Sequence, residues 1–271
     1  MIPIRKYPRT HHLEGSRLQE GDEDLAAVRF AEIAGRPLVV EEKIDGQNAA
    51  LSFDDDGGLL LQSRGHYLRG GAREKSFEPF KRWAATHAGA LREVLRSRFV
   101  VYGEWCFAKH TVFYDALPHW FLEFDVYDRE RDVFLSTPAR RALLAGLPVA
   151  SVPVLASAAF SSLETLLQHV GVSTAKTPTW RERLRESAAR TRFQGGAHVD
   201  VERTVHETDP HDEMEGLYLK LEEGDVVVDR LKWVRASFLQ AVVASDSHWF
   251  GRPIVENRLA DGVDVYARRL S

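Results

Sequence analysis

Lys43 stands at the end of a β-branched run, in Glu42-Lys43-Ile44-Asp45-Gly46-Gln47-Asn48, with a carboxylate two places on and a glycine that permits a sharp turn. An amine of ordinary pKa is only about 0.04% neutral at pH 7. To act as a nucleophile it must be desolvated or placed beside other cations. The alternative for such a segment is a solvated turn. Next in the chain, Arg64 follows a short apolar run in Gln62-Ser63-Arg64-Gly65. A guanidinium there could grip a phosphate through two parallel hydrogen bonds, or simply lie in water at a strand end. Glu104 sits inside the apolar Val101-Tyr102-Gly103-Glu104-Trp105. An acid in such a place is seldom buried without a partner, either an arginine or a ligand hydroxyl.

In Phe121-Leu122-Glu123-Phe124-Asp125-Val126-Tyr127-Asp128, strand alternation puts Phe121, Glu123, Asp125 and Tyr127 on one face and Leu122, Phe124, Val126 and Asp128 on the other. Phe124 is then a core residue or a stacking platform. Glu215-Gly216 opens another strand that reaches Lys220, and period two places Arg230 and Lys232 on one face of the next. Ala108 to Thr111 could reach a phosphate, and Arg9 to His12 with Gly15 to Arg17 could touch a polymer end. Both also read as ordinary polar segments. His206 and His211 read as part of a solvated loop, and the histidines lack a zinc spacing.

The elements that position these residues are short strands and helices. Pro37 to Glu42 and Ala49 to Phe53 are strands, and Asp54 to Gly58 is a hairpin turn returning through Leu59 to Gln62. Phe77 to Leu95 carries apolar residues at helical spacing and forms one or two helices. Phe99 to Trp105 and Trp120 to Tyr127 are strands. Thr137 to Ala145 is a helix capped by Ser136 or Thr137, with Pro138 at its first position. Ser162 to Val170 and the arginine-rich Pro178 to Arg190 are helices, and Gly195 to Pro210 is a polar connection. Leu217 to Leu221 and Val226 to Val234 form a second hairpin. Residues 1–36 are turn-rich, with a helical hint over Glu23 to Ile33, and Ala236 to Ser271 starts helical and becomes irregular. Strands that arrive in hairpins predict an α+β fold of antiparallel sheets flanked by helices.

The chain has 271 residues, enough to bury a core, and a net charge of −4 that excludes a uniformly basic nucleic-acid coat but not a local basic groove. One cysteine, Cys106, excludes an internal disulfide and a multi-cysteine metal site. No apolar run suits a signal peptide or membrane span, so a cytoplasmic protein is expected.

Taken in order, Lys43 to Gly46, Ser63-Arg64, Gly103-Glu104, Phe124-Asp125, Glu215 to Lys220 and the Arg230/Lys232 pair resemble the collinear motifs of the covalent nucleotidyltransferase superfamily of DNA ligases, RNA ligases and capping enzymes. Asn48 and the opening Lys6-Tyr7-Pro8 are most similar to ATP-dependent RNA ligases of the phage-type RNA ligase 2 group. One departure is Arg230, where the group usually has lysine. Arginine can neutralise phosphate and depress the pKa of Lys43 but cannot give up a proton.

The resemblance implies the nucleotidyltransferase (ATP-grasp-like ligase adenylation) fold over residues 1–235, with 236–271 as a short tail. It implies that Lys43 takes AMP from ATP, that the AMP passes to an RNA 5′-phosphate, and that a 3′-hydroxyl displaces it. Lys43, Asp45, Arg64, Glu215 and Lys232 would carry the chemistry. Glu42, Ile44, Asn48, Arg64, Glu104, Phe124, Lys220, Arg230 and Lys232 would hold the nucleotide, with Phe124 on adenine and Glu104 on the ribose. Glu215 and Asp125 would bind Mg2+ or Mn2+. Only 42 residues precede Lys43 and about 39 follow Lys232. Those lengths favour ATP over NAD and imply no OB-fold domain. RNA ends are the expected partner, with an end-healing kinase or phosphatase alongside. DNA nick sealing, GTP-dependent capping and non-catalytic end binding are the alternatives.

Overall fold

A computed structural model describes residues 4–17, 26–192, 198–244 and 253–267. Among them the chain forms β1 (His11–His12), β2 (Pro37–Lys43), β3 (Gln47–Phe53), β4 (Leu59–Ser63), α1 (Glu78–Leu95), β5 (Phe99–Trp105), β6 (Phe121–Asp128), β7 (Val133–Leu135) and α2 (Thr137–Leu144). It continues through β8 (Ala150–Ser151), β9 (Val154–Ala159), α3 (Leu163–Leu167), α4 (Trp180–Arg190), α5 (Val201–His206), β10 (Gly216–Glu223), β11 (Val226–Val234) and α6 (Ala236–Ala244). The main sheet path runs β4-β3-β5-β6-β7-β11-β10-β2-β9, antiparallel throughout, with β1 and β8 added in parallel on β11 and β6. The α+β reading therefore holds.

Three-residue β7 is the joint between two half-sheets, pairing two residues with β6 and two with β11. On one half, α1 buries Phe80, Trp83, Ala84, Leu91 and Leu95 at helical spacing against Leu51, Phe53, Val101 and Phe121. On the other, Leu38 and Val40 pack with Leu217, Leu219, Leu231 and Leu166. A cleft of about 1670 Å³ lies between the halves. The segment from Lys43 to Asn48 leaves β2 in one half and enters β3 in the other, so it crosses the cleft.

The alternation expected along β6 fails at Phe124. Tyr102 pairs with Asp125 while Gly103 pairs with Glu123, which leaves Phe124 as an extra residue in a bulge. A bulge re-aims the side chains around it. Phe121 and Val126 consequently share one core although sequence parity assigns them to opposite faces.

Helix α2 has Ser136 at its N-cap position, as expected, but the Ser136 side chain makes no cap hydrogen bond. The Glu222 carboxylate instead accepts from the Thr137 amide and hydroxyl, both at 2.7 Å. Strand β9 and helix α5 have no counterpart in the sequence reading. α5 falls inside the expected polar connection and is capped by Asp200, which accepts from Arg203 N at 3.0 Å. The hint over Glu23 to Ile33 becomes a single 3-10 turn at Phe30–Glu32, and its first residues lie outside the described ones, as do Gly195 and part of the tail.

Beyond α6 the described tail packs back onto the body. Asn257, 1% exposed, donates from Nδ2 to Cys106 O at 2.8 Å and accepts at Oδ1 from Tyr114 N at 2.9 Å. No helix among the described residues is long and apolar enough to cross a membrane.

Candidate active site

Antiparallel register builds the centre of the site. Gly216 on β10 pairs with Lys43 on β2, which sets Glu215 beside the lysine. The Lys43 ammonium lies 2.8 Å from each Glu215 oxygen. Gly216 has no room for a side chain, because a Cβ there would come within 1.9 Å of the Trp233 carbonyl. From the other half, Asn48 pairs with Glu104 across β3 and β5. Asn48 Oδ1 is buried on the cleft wall with no hydrogen-bond partner among the described residues. A buried acceptor left open in this way fits a ligand donor.

The electrostatics differ from the sequence expectation. Burial opposes the Lys43 charge, but Glu215, Glu104 and Asp45 outweigh it and raise its pKa above the ordinary lysine value. The resting residue is an ammonium among carboxylates, not an amine among cations. Burial, aided by neighbouring acids, pushes Glu104 up to about 8 and Glu215 to about 7. Lys43 and Arg64 pull Glu104 back, and Lys43 and Lys232 pull back Glu215. At pH 7 Glu104 is therefore mostly protonated and Glu215 about half so, with Arg64 and Lys232 adding their charge to that of Lys43.

Asp45 Oδ2 accepts from the Thr111 and Val112 amides at 2.8 and 2.7 Å, and its own amide donates to Tyr114 Oη at 2.8 Å. It thus ties the lysine turn to the loop carrying His110 and Thr111, which also line the cleft. Glu42 turns away from Lys43 and accepts from the Ser173 and Thr174 hydroxyls, both at 2.6 Å. Ile44 packs with Cys106 and Tyr114, and exposed Arg64 lies at the cleft mouth with half-buried Lys43, Glu104 and Phe124 behind it. Lys232 lines the cleft and is 8% exposed.

Lys220, Arg230 and Asp125 are placed differently from their expected roles. Lys220 is fully buried, with Nζ 3.0 Å from Glu41 Oε2 and 3.2 Å from Asp125 Oδ1, and it donates to the Phe124 carbonyl. Arg230 Nε donates to Asp125 at 2.8 Å, and its guanidinium lies 3.9 Å from the Phe134 ring centroid. Burial works against the Asp125 carboxylate, yet Lys220, Arg230 and the donating Tyr7 hydroxyl hold it down at about 2. Asp125 is therefore an anion paired with protein cations, although its Oδ1 accepts no hydrogen bond among the described residues. Lys220 and Arg230, the cations expected on phosphate, both pair with Asp125.

The sequence reading missed the aromatic partners of Phe124. Tyr7 meets Phe124 edge-on at 5.0 Å, and Tyr218 lies at 6.3 Å. In the sequence Tyr7 stands out only as part of the opening Lys6-Tyr7-Pro8. Glu41, Glu123 and Arg140 were also missed. The Arg140 guanidinium, fully buried, pairs with both acids and ties α2 to β2 and β6.

The sequence matches the RNA ligase family over residues 36–234. The chain belongs to the RNA ligase family. The matched region covers the motifs from Lys43 to Lys232 but neither Lys6-Tyr7-Pro8 nor the Asn257 segment. The fold is also similar to structures of an RNA ligase from Naegleria gruberi. A variant with AMP and Mn is 17% identical with a TM-score of 0.50, over 90% of this chain and 60% of that one. The form with PPi is 17% identical with a TM-score of 0.47, over 88% and 63%. A variant with ATP and Mn is 17% identical with a TM-score of 0.48, over 79% and 53%. This RNA ligase-family chain thus spans roughly half to three-fifths of the Naegleria chains. No protein of curated function matches it.

Proposed function

We propose that this chain is an ATP-dependent RNA ligase that joins 3′-hydroxyl and 5′-phosphate ends through AMP carried on Lys43. The observation that carries the reading is the lysine itself, held at 2.8 Å from Glu215 in a cleft that also presents Asn48, Glu104 and Phe124. The Naegleria ligases were solved with ATP or AMP and Mn, which supports the same nucleotide here. Lys43 Nζ attacks the α-phosphorus of ATP, forming a P–N bond as the P–O bond to pyrophosphate breaks. Glu215 is the nearest group able to receive the amine's proton. Phe124, with Tyr7 edge-on behind it, offers a face for the adenine, and Asn48 Oδ1 offers an open acceptor. AMP then passes to an RNA 5′-phosphate near Arg64, and a 3′-hydroxyl displaces it.

Once ionised, Glu104 and Glu215 offer carboxylate oxygens beside Lys43 to a divalent cation. Among the described residues no three metal-type side chains converge, so Glu215 and Glu104 would hold Mg2+ or Mn2+ with water and phosphate completing the shell, as these ions prefer. Such an ion supplies charge neutralisation of the phosphates and favours the neutral amine. Residues 1–235 constitute the adenylation unit in this reading. Sealing of nicked duplexes tests it: RNA nicks with 5′-phosphate and 3′-hydroxyl ends should close with ATP. Closure of DNA nicks alone, or GMP transfer from GTP alone, would replace it.

A further inference from the structure

Asp209 lies in the stretch expected from sequence to be a polar connection, yet it is fully buried. A buried carboxylate needs partners, and Asp209 has two. The buried Arg235 guanidinium donates to Oδ2, and His211 Nδ1 lies 2.8 Å from Oδ1. Neither Asp209 nor Arg235 lines the cleft, so neither meets the nucleotide. Arg235 acts instead as a bracket on the chain. Nε donates to Met214 O at 2.7 Å, the Arg235 amide donates to Glu215 O at 3.2 Å, and Nη2 reaches Glu213 O at 3.5 Å. These three carbonyls are consecutive and lead into β10, so the bracket sets the direction in which the Glu215 carboxylate leaves the chain. A planar guanidinium holds such a fork when a carboxylate fixes its orientation. The same stretch also reaches the other side of the site. Asp209 N donates to Thr111 O at 2.8 Å, Lys109 Nζ donates to Glu207 O at 3.1 Å, and the Thr111 amide donates to Asp45. Residues 207–215 are thereby tied to Glu215 and Asp45, two of the acids around Lys43.

We propose that Asp209 is a positioning residue for the lysine centre, holding the Glu215 carboxylate against Lys43 through Arg235. The proposal rests on the functional reading above for the reaction that this contact serves. Asp209→Asn keeps the shape of the side chain and removes the charge that orients the guanidinium. The bracket then loosens, and Glu215 drifts from Lys43 although no residue of the cleft wall has changed. A misplacement of about 1 Å at a reacting centre costs about 10²-fold in rate.

The test is a double-mutant cycle on wild type, Asp209→Asn, Glu215→Gln and Asp209→Asn/Glu215→Gln, at a temperature where urea unfolding shows each protein folded. Two readouts are taken. The first is single-turnover AMP transfer over an ATP series. The second is acetylation of Lys43 by acetic anhydride, measured by peptide mass spectrometry against the exposed Lys75, and it needs no activity. Asp209→Asn should slow transfer by about 10²-fold. Its half-saturating ATP should stay within about twofold of wild type, the mark of a loss confined to the chemical step. The double variant should be no slower than Glu215→Gln, because two residues acting through one contact do not add. Lys43 should acetylate faster in each single variant, freed from the ion pair that keeps it protonated, and no faster again in the double. Wild-type transfer and acetylation in Asp209→Asn overturn the proposal. So does a double variant whose loss is the product of the two single losses, as a general weakening of the fold would give. If Asp209→Asn does not fold, Arg235→Lys, which keeps a cation and removes the fork, enters the same cycle. Absence of lysyl-AMP in wild type would defeat the ligase reading, while Lys43 acetylation would still decide this one.

Discussion

Lys43, the nucleophile in the proposed reaction, rests in its protonated, unreactive form. Its raised pKa means that the neutral fraction grows about tenfold per pH unit below that value. Glu104 and Glu215, raised to about 8 and about 7, also lose their protons as pH climbs and become better cation ligands. Both effects have the same sign, so single-turnover AMP transfer is expected to rise from about pH 6.5 to about pH 9. A flat or falling profile would contradict the assignment. Glu104 also makes a stability prediction. Its folded pKa is raised above the ordinary 4.5, so its contribution is present below 4.5 and lost as pH rises through about 8. Glu104→Gln should therefore melt higher than wild type above pH 8, at about 2–4 °C per kcal/mol gained, while slowing AMP transfer by about 10². Thermal unfolding at pH 6 and pH 9 reads the first, and labelled-ATP kinetics the second.

At the scale of elements, what was legible in the sequence is what local chemistry decides. The hairpin at Asp54 to Gly58, the α1 stripe and the β2, β5 and β10 strands are readable from period and turn residues. The family motifs in addition located Lys43, Glu104 and Glu215 in one cleft. The bulge at Phe124 was not readable, because an extra residue in a strand leaves no trace in composition. Lys220 and Arg230 were legible as cations, but whether a cation meets a ligand or a buried Asp125 depends on partners far away in the chain. The tail was least legible. Asn257 holds Cys106 O and Tyr114 N, and Tyr114 Oη in turn accepts from the Asp45 amide, so the tail supports the lysine turn through two layers. Asn257→Ala is expected to cost about 1–3 kcal/mol and to slow AMP transfer. Tyr114→Phe should cost about 1 kcal/mol and slow the same step. Denaturant unfolding with single-turnover rates separates the two effects, and wild-type rates in both variants would leave the tail with a packing role only.

Across the molecule, the two half-sheets are joined by short β7 and by a buried ionic lattice. Arg140 pairs with Glu41 and Glu123, Lys220 with Glu41 and Asp125, and Arg230 with Asp125. Three cations offset three acids in the interior, so removing one member leaves buried charge unmatched. Arg140→Met should lower stability by about 3–5 kcal/mol, measured by urea unfolding. A loss under about 1 kcal/mol would show that the lattice is not what joins the halves. The same lattice leaves Lys43, outside it, facing the cleft. The most direct measurement is therefore incubation with α-labelled ATP and Mg2+, a denaturing gel and peptide mass spectrometry, on wild type and Lys43→Ala. The account predicts a band stable to denaturation, AMP mapped to Lys43, and no band in the variant. Wild type that stays unlabelled after pyrophosphatase treatment, or label that persists in Lys43→Ala, would contradict it.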